Sequence, residues 1–131
     1  MSLQILIFEP HDLVRNEIRK VFNHHCSSKT SFISEARDVC EALRKAESLR
    51  PNFITLEISL PDRAGLPLLQ SLRCLLPDAH IIVITLNDDH VYRKRAASEG
   101  ASGFVSKAHL ARELPQLLTK DGRMHCVTSD R

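Results

Sequence analysis

The chain has 131 residues, which suits one globular domain with a proper hydrophobic core. Hydrophobic residues make up 43% and charged residues 26%, so the composition excludes an intrinsically disordered protein. The 18 basic and 16 acidic residues nearly cancel to a net charge of +2, so no overall field favours binding to nucleic acid or to an anionic membrane.

Strand-like and helix-like segments alternate along the chain. Residues 3–8 (LQILIF), 53–56 (FITL) and 81–85 (IIVIT) are apolar runs typical of strands covered on both faces, and 30–34 (TSFIS) and 103–106 (GFVS) are weaker strand candidates. Apolar residues at helical spacing follow each strand in turn and predict five amphipathic helices: Leu13, Val14, Ile18, Val21 and Phe22; Ala36, Val39, Cys40, Leu43 and Ala46; Leu69, Leu72 and Leu76; Val91, Tyr92 and Ala96; and Leu110, Leu114, Leu117 and Leu118.

This order predicts an α/β fold, a flavodoxin-like doubly wound parallel sheet of five strands in the order 2-1-3-4-5 with five helices. We expect one domain over residues 1–119. Residues 120–131 lack periodicity and are predicted to be a C-terminal tail or linker stub. Gly65 and Gly103 are predicted to be turn positions that need a permissive backbone.

The functional crevice of such a sheet lies at the carboxyl ends of the strands, beside the first and third strands. That rule selects Glu9, Pro10 and His11 after the first strand, Glu57 on the third, Thr85 on the fourth and Lys107 after the fifth. No GxGxxG motif or P-loop follows any strand, and the chain has only four glycines, which disfavours a flavodoxin-like nucleotide- or flavin-binding protein. That function remains an alternative.

The spacing of the cysteines and the hydropathy of the chain indicate the cellular compartment of the protein. The four cysteines form no CxxC pair and no secretion signal precedes them, so we expect a cytoplasmic protein. No apolar run approaches the roughly 18 residues of a membrane span. His24, His25 and Cys26 are the one dense cluster of metal-ligand types, but adjacent side chains diverge, and we interpret them as a polar helix end.

Four motifs stand in register at successive strand ends, and together they resemble the receiver domain of response regulators over residues 3–119. The amino-acid sequence of these motifs is similar to that of receivers joined to LuxR-type DNA-binding domains. The motifs are Glu9-Pro10-His11, residues 57–65 (EISLPDRAG), Thr85 and residues 100–107 (GASGFVSK). The resemblance implies a role in two-component phosphorelay signalling, in which a strand-three aspartate takes a phosphoryl group from a histidine kinase and holds Mg²⁺ with two acidic residues after strand one. It also implies that Thr85 and Lys107 hold the phosphoryl oxygens, and that Phe104 is a switch aromatic.

The sequence departs from the family at two positions. Glu57 replaces the phosphoacceptor aspartate and carries its carboxylate about 1.5 Å further out, where misplacement of about 1 Å can cost roughly a hundredfold in rate. Pro10 replaces a direct metal ligand, so we expect no cofactor, and any Mg²⁺ would bind weakly at Glu9 and Glu57. We hypothesise that Glu57 pairs permanently with Lys107 and imitates the phosphorylated state.

The resulting prediction is a pseudo-receiver, meaning a receiver that acts by protein contact without ordinary aspartate phosphorylation, and not an enzyme. The resemblance implies that its partner is an output domain, a kinase or a second copy in a homodimer, bound through the fourth helix, fifth strand and fifth helix. The fourth helix carries the basic run Arg93, Lys94 and Arg95. DNA would be contacted only through an output domain outside this chain, with a role in transcription regulation. A phosphorylation-competent receiver that regulates such a domain is the other alternative.

Overall fold

The computed structural model describes residues 3–26, 31–58, 65–86 and 90–118. These segments form five strands, five α-helices and one 3₁₀ turn. In chain order the elements are β1 (Leu3–Phe8), α1 (Asp12–His25), β2 (Ser31–Ala36), α2 (Val39–Leu49), β3 (Phe53–Glu57), α3 (Gly65–Leu75), β4 (His80–Thr85), α4 (His90–Ser98), β5 (Gly103–Ser106), the 3₁₀ turn (Lys107–His109) and α5 (Leu110–Gln116).

The sheet is parallel throughout, and its strand order is β2-β1-β3-β4-β5. The predicted α/β fold and the order 2-1-3-4-5 are therefore confirmed. The order reverses between β1 and β3, which pair with Phe8 opposite Leu56. Their carboxyl ends consequently lie side by side, as expected at the switch point of such a sheet.

Side chains along each strand alternate between the two faces of the sheet, so the core has two layers. Leu6 and Phe8 of β1 face the layer that α2, α3 and α4 cover, and Ile5 and Ile7 face the layer that α1 and α5 cover. Successive strand side chains point to opposite faces, so a strand buried on both sides needs a continuous apolar run. This explains why residues 5–8 are all buried.

Three helix assignments made from periodicity were wrong at their ends. Ala36 is the last residue of β2 and not a helical residue, because the strand continues two residues past Ser34 and pairs Ala36 with Phe8. Leu76 follows the end of α3, and Leu117 and Leu118 follow the end of α5. All four residues are buried, so their apolar character reflects the core and not helical structure.

The turn role predicted for two glycines was also wrong. Gly65 is the first residue of α3, where a Cβ would lie 2.3 Å from the Ile58 carbonyl oxygen, so close backbone approach excludes a side chain. Gly103 begins β5. The described glycine with a left-handed backbone is Gly100, at φ +115°, between α4 and β5.

Some predictions fall on residues outside those described, namely the ends of the predicted domain 1–119, Thr30 of the second strand candidate, residues 59–64 of the 57–65 motif, and the tail 120–131. Among the described residues, no helix is long and apolar enough to cross a membrane.

Candidate functional site

Two carboxylates meet at the carboxyl edge of the sheet. Glu9 follows β1 directly and Glu57 is the last residue of β3, and their side chains are 0% and 2% exposed. A carboxylate is stable in such a position only when a cation or hydrogen-bond donors compensate its lost hydration. The site therefore needs a positive group in the same space.

Lys107 supplies that positive group. Its Nζ atom lies 2.5 Å from Glu57 Oε1, and 3.2 and 3.3 Å from the two carboxylate oxygens of Glu9. The lysine side chain is only 7% exposed. The contact expected between Glu57 and Lys107 is therefore present, and Glu9 joins it. Two carboxylates and one ammonium group give these three side chains a formal charge of −1.

His11 contacts Glu9 from the solvent side. Its backbone N–H donates to Glu9 Oε2 at 3.0 Å, and its Nδ1 atom lies 2.8 Å from the same oxygen. The imidazole is 71% exposed, so it caps the pocket instead of filling it.

Arg15 holds the strand end that carries Glu9, and it is not among the residues predicted from the sequence. Its guanidinium donates to the Glu9 carbonyl at 2.9 Å and to Glu35 Oε1 at 2.7 Å, and it also pairs with Asp12 at 2.5 Å. Arg19 pairs with Glu35 as well. The available signal was position: Arg15 lies three residues before Ile18 on the buried face of α1, where a charged residue requires partners.

The other predicted pocket residues lie at the same edge with different surroundings. Thr85 ends β4, is 2% exposed and stands in register with Ser106, the residue before Lys107. Pro10 is partly buried beside Glu9 and offers no side-chain oxygen. Phe104 is partly buried on β5, and the Arg93 guanidinium lies 5.5 Å above the centre of its ring.

The donor set does not fit Mg²⁺, the ion that the receiver resemblance implies. Mg²⁺ takes near-octahedral oxygen coordination, usually with one or two carboxylates and several waters. Here Pro10 contributes no ligand, and the ammonium group of Lys107 contacts the oxygens of Glu9 and Glu57 that would bind the ion.

The His24, His25 and Cys26 cluster does not converge. The two rings pack edge to face at the end of α1 and are exposed, whereas Cys26 is buried in the core. Burial raises the pKa of the Cys26 thiol, which disfavours the thiolate that a metal needs. Among the described residues, no group of three or more His, Cys, Asp or Glu side chains is arranged to hold a metal ion.

Comparison with known sequences agrees with the resemblance to receiver domains. The family described as the response regulator receiver domain matches residues 5–119. The DNA-binding transcriptional activator EvgA of Escherichia coli (strain K12) is 28% identical over 105 residues, covering 80% of this chain and 50% of EvgA. A putative transcriptional regulator of Pseudomonas aeruginosa is 30% identical over 111 residues, covering 85% of this chain and 52% of that protein. The chain thus spans about half the length of the curated relatives it matches.

Solved structures show the same fold. A LuxR-family two-component response regulator from Aurantimonas sp. SI85-9A1 superposes with a TM-score of 0.76 at 24% identity, over 89% of this chain and 82% of that chain. The isolated REC domain of RcsB from Salmonella enterica serovar Typhimurium, determined with phosphomimetic BeF3-, gives a TM-score of 0.77 at 21% identity, over 89% and 86% of the two chains.

Proposed function

Because the chain belongs to the response regulator receiver domain family, we propose that it is a pseudo-receiver that signals by protein contact and not by accepting a phosphoryl group on Glu57. The observation that carries the proposal is the 2.5 Å contact between Lys107 Nζ and Glu57 Oε1. In this arrangement, the acceptor position already presents a negative charge to the lysine.

The chemistry of acyl phosphate formation explains why this contact matters. A carboxylate attacks phosphorus in line, and the transferring oxygens need cations that are free to bind them. The Lys107 ammonium is engaged by two buried carboxylates, so it would have to leave both in order to bind a phosphoryl group. The same contacts leave no fitting site for Mg²⁺, so the pocket is proposed to act without a metal or other cofactor.

The roles of the neighbouring residues follow from this reading. Glu57 would be a fixed charge in place of a phosphorylated aspartate, and Glu9 would share the Lys107 ammonium. Thr85 would supply a hydroxyl beside the pocket, and Phe104 would stand at the switch position. We propose no catalytic turnover for this chain.

The output is proposed to pass through a face made of α4, β5 and α5. Lys94 and Arg95 of α4 are exposed, and beside the partly buried Arg93 they make a basic surface suited to an acidic patch on a protein partner such as an output domain, a kinase or a second copy. Because the matched region covers only about half of the relatives named as transcriptional regulators, a DNA-binding output domain outside residues 1–119 is the proposed route to transcription regulation. We propose the cytoplasm as the compartment, in keeping with membership of the receiver domain family.

Phosphorylation chemistry tests the proposal directly. The protein is incubated with acetyl phosphate or phosphoramidate and Mg²⁺, and its intact mass is measured. We expect no added phosphoryl group, because Glu57 is paired and the metal ligand at position 10 is missing. A receiver with an intact aspartate acceptor, treated in parallel, verifies the reagents.

Two variants complete the experiment. The double variant Pro10→Asp, Glu57→Asp restores the acidic set of the family and is expected to gain a phosphoryl group. A phosphoryl mass gain in the unmodified protein that disappears in Glu57→Gln would establish the phosphorylation-competent receiver instead. A preparation with bound flavin or nucleotide, seen by absorbance after denaturation, would support the nucleotide-binding alternative.

A further inference from the structure

Helix α4 is held to the sheet by few buried groups. Within α4, all of which the structure describes, only Ala96 is fully buried. Polar and ring contacts made by two consecutive residues supplement it. The Tyr92 hydroxyl donates to the Ile58 carbonyl at 3.1 Å, and the Arg93 guanidinium lies over the Phe104 ring at 5.5 Å. The position of α4 therefore depends strongly on what Tyr92 and Arg93 contact.

The two contacts reach different parts of the molecule. Arg93 joins α4 to β5, which belongs to the same output face. Tyr92 joins α4 to Ile58, the residue directly after Glu57, which ends β3 and belongs to the pocket. The peptide that accepts the Tyr92 hydrogen bond is thus adjacent in the chain to the carboxylate that contacts Lys107.

The Ile58 carbonyl is confined on more than one side. Ile58 is fully buried, and the backbone of Gly65 approaches it so closely that a Cβ there would lie 2.3 Å from the carbonyl oxygen. A shift at the end of β3 consequently has little space in which to be absorbed. The close backbone contact with Gly65 connects such a shift to α3, and the hydroxyl of Tyr92 connects it to α4.

We propose that Tyr92 is the positioning residue that couples the charge state of the Glu57–Lys107 pocket to the position of α4. The proposal deepens the proposed function, on which it rests for the identity of the output face. The side chain of Phe104 has no hydroxyl, so it offers no side-chain hydrogen bond for a parallel route from Thr85. The Tyr92 phenol does offer one, to the Ile58 carbonyl at 3.1 Å.

Backbone amide NMR tests the coupling in the unphosphorylated protein. Glu57→Gln removes the charge that pairs with Lys107 and keeps the side-chain length. In the unmodified background we expect this change to shift the amide signals of residues 90–98. In a Tyr92→Phe background, which lacks only the hydroxyl, we expect the shifts in α4 to fall to the level seen in the distant strand β2. The shifts around Lys107 should persist.

Arg93→Gln is the matched control on the adjacent residue. It removes the contact with Phe104 and is expected to leave the α4 response to Glu57→Gln in place. The proposal is overturned if α4 still responds in the Tyr92→Phe background, or if the response is lost in Arg93→Gln and kept in Tyr92→Phe. A response absent from the unmodified background as well would also overturn it.

The outcome is separate from that of the phosphorylation test. A phosphoryl mass gain would contradict the pseudo-receiver and leave the Tyr92 coupling standing. No mass gain, together with an α4 response that is absent from the unmodified background or persists in Tyr92→Phe, would leave the pseudo-receiver standing and contradict the Tyr92 coupling. Amide spectra dispersed as in the unmodified protein establish that Tyr92→Phe is folded, so a loss of response cannot be assigned to unfolding.

Discussion

Lys107 lies between two buried carboxylates, and its replacement would leave both without this ammonium group. Removing one partner of a buried ion pair costs about 3–5 kcal/mol, because the remaining charge stays buried. For Lys107→Met we therefore expect a loss of this size in the free energy of unfolding, measured by urea denaturation. Lys20→Met, on the exposed face of α1, should change it by no more than about 0.5 kcal/mol.

A double variant distinguishes the contribution of the Lys107 charge to stability from that of its side-chain packing. If the loss in Lys107→Met comes from the unpaired carboxylates, adding Glu57→Gln should recover part of it, since one buried charge is removed. If the losses in the free energy of unfolding from Lys107→Met and Glu57→Gln simply add in the double variant, the aliphatic stem of Lys107, and not its charge, supports the pocket.

Cys26 differs from the other described cysteines in its burial. It is 7% exposed, and burial raises the pKa of its thiol, whereas Cys40 and Cys74 are exposed. Only the thiolate attacks disulfide reagents, so at neutral pH we expect Cys40 and Cys74 to react quickly and Cys26 to react only after denaturation. Peptide mapping after alkylation identifies each site. Rapid labelling of Cys26 in native protein would show that the end of α1 opens readily.

At the scale of secondary-structure elements, Arg73 connects the end of α3 by hydrogen bonds to the segments that precede β4 and β5. Its guanidinium donates to the Gly100 carbonyl at 2.7 Å and to the Ala79 carbonyl at 2.7 Å, so it joins α3 to the α4–β5 loop and to the start of β4. The Ser102 hydroxyl, 3.2 Å away, also accepts from the Ile81 N–H. Gly100 matches this arrangement, because a Cβ there would lie 2.9 Å from Arg73.

We expect Arg73→Ala to lower the free energy of unfolding by about 2 kcal/mol, because several loop carbonyls lose a charged donor. Arg73→Lys should recover only part of this, since a point charge does not reproduce the guanidinium fork. Arg112→Ala, whose side chain is 66% exposed, is the control and should have little effect. Equal losses in the Arg73 and Arg112 variants, measured by urea denaturation, would contradict this role.

At the scale of the whole molecule, stability reports on metal binding. An ion that binds only the folded state stabilises it by about 2.7 kcal/mol at a hundredfold excess over Kd. Because the donor set does not fit Mg²⁺, we expect the Tm of this protein to be unchanged by added Mg²⁺. The Pro10→Asp, Glu57→Asp variant should gain a Tm that rises with Mg²⁺. A Mg²⁺-dependent Tm in the unmodified protein that disappears in Glu9→Gln would contradict the proposed metal-free pocket.

Part of this molecule follows from the sequence alone. The alternation of strand-like and helix-like segments predicted the parallel sheet and its order, because periodicity is local and crossover rules leave few topologies. The same rules predicted that Glu9, Glu57, Thr85 and Lys107 share one edge, since the carboxyl ends of parallel strands coincide. The boundary at Ala36 could not be predicted, because burial in a strand and in a helix selects the same apolar residue.

The tertiary structure decided the contacts between side chains far apart in the chain. Lys107 could have pointed to solvent, and only packing places its ammonium group against both Glu9 and Glu57. The hydrogen bond from Tyr92 to Ile58 joins residues 34 positions apart, and no local sequence pattern predicts it. Such contacts depend on distances of a few tenths of an ångström between packed elements, which periodicity and register do not specify.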